Sequence, residues 1–258
     1  MSGTLLKSLL KKNAVLYWCF MAVIMVYFSL VIFMYPLIVD MMTGETGGGI
    51  FGDMFDVGDI GVYTATMLGE LLWSFGLVLF IMLVFRLIFR PVDSGSLSMH
   101  LMSGISRTKY MLTALTFLAI KLTTLFILLL SVGLLSFVAL GESFNFGHFF
   151  STTLMATISL SAVVFISYLL GSVFAGSKWA AGLLIAVPVC FFLFISLSHI
   201  HSSLEFFRWI TPFGWFLPSE MAIGDFSLWW IVLLAYITII ALTSIVSIFV
   251  FKRKNLSL

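Results

Sequence analysis

Few side chains in this sequence have the type and spacing that chemistry needs. A phosphate loop requires lysine after its last glycine; the nearest approach is Gly171 to Lys178, GSVFAGSK, where Ser177 occupies the lysine position. That stretch also leaves an apolar helix with no preceding strand. His201 and Glu205 lie one helical turn apart, with His199 close by, which offers two or three metal ligands and fixes no further one; a wet loop is the plainer reading. No GxSxG or HExxH pattern occurs, so hydrolysis by this chain alone has no residues to run on. Glu70 and Lys121 interrupt long apolar runs, and ionisable groups there are costly and mark ion or substrate paths. Both fall near the end of a run. Glu70 is therefore kept as a substrate-path candidate beside the alternative of an interfacial acid bonded to polar neighbours, and Lys121 is expected to snorkel to the membrane interface.

The elements that would position these groups are membrane helices. The chain has 258 residues, of which 62% are hydrophobic and 9% charged, whereas soluble domains are roughly a quarter charged. Its mean hydropathy is +1.19. This composition excludes a soluble enzyme and gives no basic surface for nucleic acid. Cys19 and Cys190 sit inside apolar runs without metal-ligand spacing and read as small hydrophobic residues. The first apolar run is too long for a cleavable signal, so no leader is expected.

The fold expected is an all-α integral membrane protein, one transmembrane domain over residues 1–258 with six spans at about 14–39, 65–85, 113–140, 149–174, 179–198 and 227–251. Met1 to Lys12 sets Leu5, Leu6, Leu9 and Leu10 against Lys7, Lys11 and Lys12, an amphipathic helix suited to the inner membrane surface. Asp40 to Tyr63 is an acidic, glycine-rich outer loop. His199 to Phe226 carries Pro212 and Pro218, is too broken to span and too apolar for a free loop, and reads as an outer re-entrant or interfacial segment. Its Phe206, Phe207, Trp209, Phe213, Trp215 and Phe216 suit the headgroup and upper hydrocarbon layers, and Phe213 and Trp215 join Glu70 as candidate wall residues of a substrate path. This map puts twelve of the thirteen lysines and arginines inside and leaves Arg208 outside, so both termini are expected in the cytoplasm.

The longest polar interruption bounded by basic residues is Pro91 to Lys109, PVDSGSLSMHLMSGISRTK, preceded by Arg86 and Arg90. Leu97, Leu101 and Met102 fall near one face of a short helix, Gly104 is its stop, and Ser106 caps the next helix. A short helix held between two spans is suited to passing force between a soluble partner and the membrane.

Val92 to Thr113, VDSGSLSMHLMSGISRTKYMLT, resembles the loop between spans two and three of the type-2 ABC transporter permeases. There an acid-x-Gly-small start leads through a short helix to a Ser-Arg-x-Lys-like entry into the next span. The basic amphipathic start, the six spans, the broken outer segment and the terminal FKRKNLSL are similar to that family too. The resemblance implies that Asp93, Gly95 and Ser96 open a cytoplasmic coupling helix, that Leu97 to Met102 form it, with Leu101 and Met102 on it, and that Ser106, Arg107 and Lys109 lead into the third span. Gly104 departs from the proline that many relatives carry, which still permits a break and leaves its geometry less defined.

The resemblance further implies a non-catalytic permease subunit in the plasma (inner) membrane of a prokaryote. It would pair with a second copy or a paralogue and be driven by two ATP-binding subunits that hold the ATP and Mg, this chain binding no cofactor itself. Export of a hydrophobic or amphipathic cargo such as a peptide, an antimicrobial compound or a lipid would follow. A stand-alone secondary transporter or channel, an intramembrane enzyme and the six-span binding subunit of a vitamin importer are the alternatives. The first would place charges at membrane depth, the second needs a buried nucleophile, metal or acid pair, and the third would bind a vitamin unaided.

Overall fold

The computed structural model describes residues 3–43, 59–97, 104–141, 144–198, 202–224 and 227–253. Among these residues every regular element is helical. In chain order they are α1 (Gly3–Lys12), α2 (Ala14–Thr43), α3 (Ile60–Asp93), α4 (Arg107–Leu140), α5 (Phe146–Phe174), α6 (Ala180–Ser198), the short α7 (Phe207–Ile210) and α8 (Pro218–Ile223), and α9 (Trp229–Arg253). Six of them, α2 to α6 and α9, are long and apolar enough to cross a membrane.

Local sequence explains most boundaries. The Asp59 carboxylate accepts from the Gly61 amide at 2.6 Å and starts α3, five residues before the expected span. The Ser106 hydroxyl accepts from the Lys109 amide at 3.3 Å, the cap expected for the third span. Asn145 caps α5 through the Gly147 and His148 amides, and Gly141 ends α4 in the left-handed region at φ 72°. Two turns of α3, Leu72–Gly76 and Phe85–Phe89, widen to π geometry without breaking the helix.

Helices consecutive in the chain run antiparallel: Tyr35 of α2 meets Tyr63 of α3 at 5.5 Å, and Phe137 of α4 meets Phe149 of α5 at 5.3 Å. Tyr17, near the start of α2, meets Lys121 of α4, which runs parallel to it. The bundle thus has a near end, with α1 and the α3–α4 and α5–α6 connections, and a far end, with the α4–α5 connection and the α6–α9 segment. Helices α5 and α3 form the centre, and α2, α6 and α9 keep broad apolar faces outward. Small side chains let the centre close: a Cβ on Gly171 would come within 3.0 Å of Leu184 and 3.3 Å of Ile88.

At 34 residues each, α3 and α4 are about 51 Å long at 1.5 Å per residue, well beyond the ~30 Å of a hydrocarbon core. Leu5 of α1 is buried, and α1 packs against α4 at the near end.

Candidate functional site

Two places in the bundle carry the residues singled out above. At the near end, α3 runs through Pro91, which has no amide hydrogen to offer the Leu87 carbonyl one turn back. The Tyr110 hydroxyl supplies it instead, donating to Leu87 O at 2.6 Å from the first turn of α4. The Tyr168 hydroxyl of α5 donates to Met111 O at 3.1 Å. Three helices are thus tied at one level by buried hydroxyl–carbonyl bonds in a surrounding where an unmade bond is costly.

Beyond this tie the chain turns. Asp93 ends α3, and the Ser94 hydroxyl donates to Arg90 O at 2.7 Å and lies 3.0 Å from the Ser96 hydroxyl. Gly95 takes φ 67° and Gly104 φ 82°, values that favour glycine on both sides of the connection. Ser96 and Leu97 begin another helical turn, and the Leu97 side chain is fully buried in the apolar core. Asp93, Gly95, Ser96, Leu97, Arg107 and Lys109 therefore share one end of the molecule. Leu101 and Met102 lie outside the described residues, as do His199 and His201.

At the far end the described part of the α6–α9 connection is a series of short helical turns. Thr211, Pro212, Phe213, Gly214 and Phe216 are buried, whereas Phe206 and Trp209 face outward. Phe213 packs on Trp73 of α3 with ring centroids 5.6 Å apart, and Trp73 Nε1 donates to the Ser159 hydroxyl of α5 at 3.4 Å. Trp215 is half-buried, stacks on Tyr236 of α9 at 5.8 Å and donates from Nε1 to Trp209 O at 2.9 Å. Arg208 Nε donates to Gly214 O at 2.6 Å and closes the turn. Within a single chain, Phe213 is thus an internal wedge and Trp215 a brace on α9.

Glu70 lies on α3, exposed, ten residues or about 15 Å from the start of that helix. Its face continues through Phe75, Val78 and Met82, all exposed. Lys121 departs from the snorkelling arrangement expected of it: it is 6% exposed, and its Nζ lies 3.8 Å from the centroid of the Tyr17 ring. Trp18 and Phe117 stand 5.7 and 5.9 Å away. Aromatic faces hold the cation where α2 covers α4, so the side chain need not extend to water.

The residues that sequence reasoning missed are the tying tyrosines, Tyr110, Tyr168 and Tyr236. A signal was present for the first: a proline near a helix end orphans the carbonyl four residues earlier, and a tyrosine opening the next helix is a natural donor. No group of three or more metal-ligating side chains occurs among the described residues. No family model, curated protein or solved structure matches this chain.

Proposed function

We propose that the chain is the membrane-spanning permease subunit of an ATP-driven exporter of the type-2 ABC class. Two ATP-binding subunits would drive it, and a second copy or a paralogue would complete the path for a hydrophobic or amphipathic cargo. The observation that carries this reading is the α3–α4 connection. Its described ends lie at the end richest in lysine and arginine, and the Tyr110–Leu87 bond braces its two arms against each other. A force applied there reaches both helices together, and α5 through Tyr168.

Two further observations support it. The basic residues of α1, of both arms of the connection, of the α5–α6 link and of the end of α9 gather at this end, which makes it the cytoplasmic one by the positive-inside tendency. Glu70, exposed on a helix of the membrane region, faces away from its own bundle, where a carboxylate calls for a second subunit or a water-filled path.

The test is ATP turnover by a co-purified ATP-binding subunit in liposomes. Charge reversal at Arg107 and Lys109 is expected to lower permease-stimulated turnover well below the effect of the same change at Arg208. Equal effects, or transport by the chain alone on an ion gradient, would remove the proposal.

A further inference from the structure

Helix α1 meets the bundle with its leucines. Leu5 is buried and Leu6, Leu9 and Leu10 pack against the core, so the apolar face that would sink a free amphipathic helix into the acyl layer is already taken. The opposite edge stays outward: Lys7, Lys11 and Lys12 are exposed. Exposed positions continue at helical spacing through Val15, Trp18, Ala22 and Val26 of α2. One outward stripe therefore runs from ammonium groups, past an indole, to bare hydrocarbon, the order of a phospholipid from headgroup to tails. Asp93 is the one acidic residue among the described residues of this end.

Lys121 of α4 makes this stripe a site. Its Nζ lies 3.8 Å from the centroid of the Tyr17 ring and 5.7 Å from that of Trp18. Tyr17 is one turn past Asn13, its amide bonded to Asn13 O at 3.1 Å. The ring under the ammonium thus belongs to a residue about 6 Å along the axis from the α1–α2 junction, where Lys11 and Lys12 stand. Lys121 is 6% exposed, yet its ammonium meets ring faces and no hydrogen-bond acceptor among the described residues. The polar side-chain atoms that are both sealed and unpartnered among those residues belong to Asn13, Thr64 and Thr152. Lys121 Nζ is not one of them, so a donor without an acceptor is reachable from outside the bundle. Such an ammonium at the membrane is costly until an anion completes it.

We propose that Lys121 and the lysines of α1 hold the headgroup of an anionic phospholipid of the near-end leaflet. The phosphate would sit between Lys121 and the α1–α2 junction, with Trp18 at the glycerol level and the tails along the valines of α2. A free phosphate would use the lysines and leave the continuation of the stripe from Trp18 to Val26 idle, so the membrane is the source of the anion. This site goes beyond the transport proposal and does not rest on it, because it needs neither a cargo nor an ATP-binding subunit.

Thermal unfolding of the purified full chain in detergent tests it, titrated with dioleoyl phosphatidylglycerol, with dioleoyl phosphatidylcholine, which has the same tails and no net charge, and with inorganic phosphate. The phosphatidylglycerol is expected to raise the midpoint saturably, as a ligand of the folded state does, and the other two to raise it little. Lys121→Met is expected to raise the half-saturating concentration of phosphatidylglycerol roughly fivefold, the worth of one lysine at an anionic surface. Lys11→Gln with Lys12→Gln, both on the exposed edge and so without risk to folding, is expected to raise it about tenfold or more. Lys178→Gln, exposed on the α5–α6 connection, is the control and should leave it unchanged. An equal rise with phosphatidylcholine, or with inorganic phosphate, would overturn the assignment. So would a Lys178→Gln effect as large as that of Lys121→Met, which would mean diffuse charge in place of a site. Unaltered selectivity in the Lys11 and Lys12 variant would overturn it too, and would leave that edge for an acidic protein surface.

Discussion

The Tyr236 hydroxyl of α9 donates to the Pro212 carbonyl at 2.6 Å, a fully buried bond across 24 residues of chain. It fastens the last membrane helix to the broken segment that precedes it. Tyr236→Phe is expected to destabilise the protein by about 1–3 kcal/mol, because the Pro212 carbonyl is then buried without a donor. Tyr27→Phe, on an exposed part of α2, is expected to be near neutral. Thermal unfolding of both variants in the same detergent decides it, and equal midpoints would show that the bond contributes nothing.

Glycine at 214 is demanded by space. A Cβ there would collide with the carbonyl oxygen and backbone carbon of Arg208, which cannot swing away as a side-chain tip can. Gly182 has open space around it, and a glycine inside a helix costs about 0.5–1 kcal/mol relative to alanine. Gly214→Ala is therefore expected to lower the unfolding midpoint, and Gly182→Ala to leave it unchanged or raise it.

Lys121 and Tyr17 should behave as a coupled pair. Removing the ring by Tyr17→Leu strips the cation of its aromatic partner, whereas Lys121→Met removes the charge and keeps much of the volume. A double-mutant cycle is expected to give a coupling of about 0.5–2 kcal/mol. Strict additivity would show that the 3.8 Å approach has no energetic weight.

The asymmetry of charge predicts an orientation. In a background with Cys19 and Cys190 replaced by alanine, single cysteines at Ser94 and at Glu220, both exposed and at opposite ends of the bundle, are expected to react with an impermeant maleimide from opposite sides. Ser94→Cys should label only after the cytoplasmic face is opened. Labelling of both positions from one side would rule out the antiparallel six-span arrangement in the membrane.

The membrane helices, the capped start at Ser106, the amphipathic beginning and the sidedness of charge are all legible in the order of residues. Transfer of apolar groups into hydrocarbon adds up locally along a helix, caps involve residues three apart, and charge bias needs only counting. Faces are another matter. Phe206 and Phe213 are the same residue type seven positions apart, yet one faces outward and the other is sealed against Trp73. In spans that are apolar on every side, no periodic signal says which stripe meets a neighbour. The burial of Lys121, the outward turn of Glu70, the Tyr110–Leu87 brace and the lone hydroxyl of Thr152 came only with the packed bundle. Each depends on shape fitting between helices far apart in the chain, and that fit is a property of all of them together.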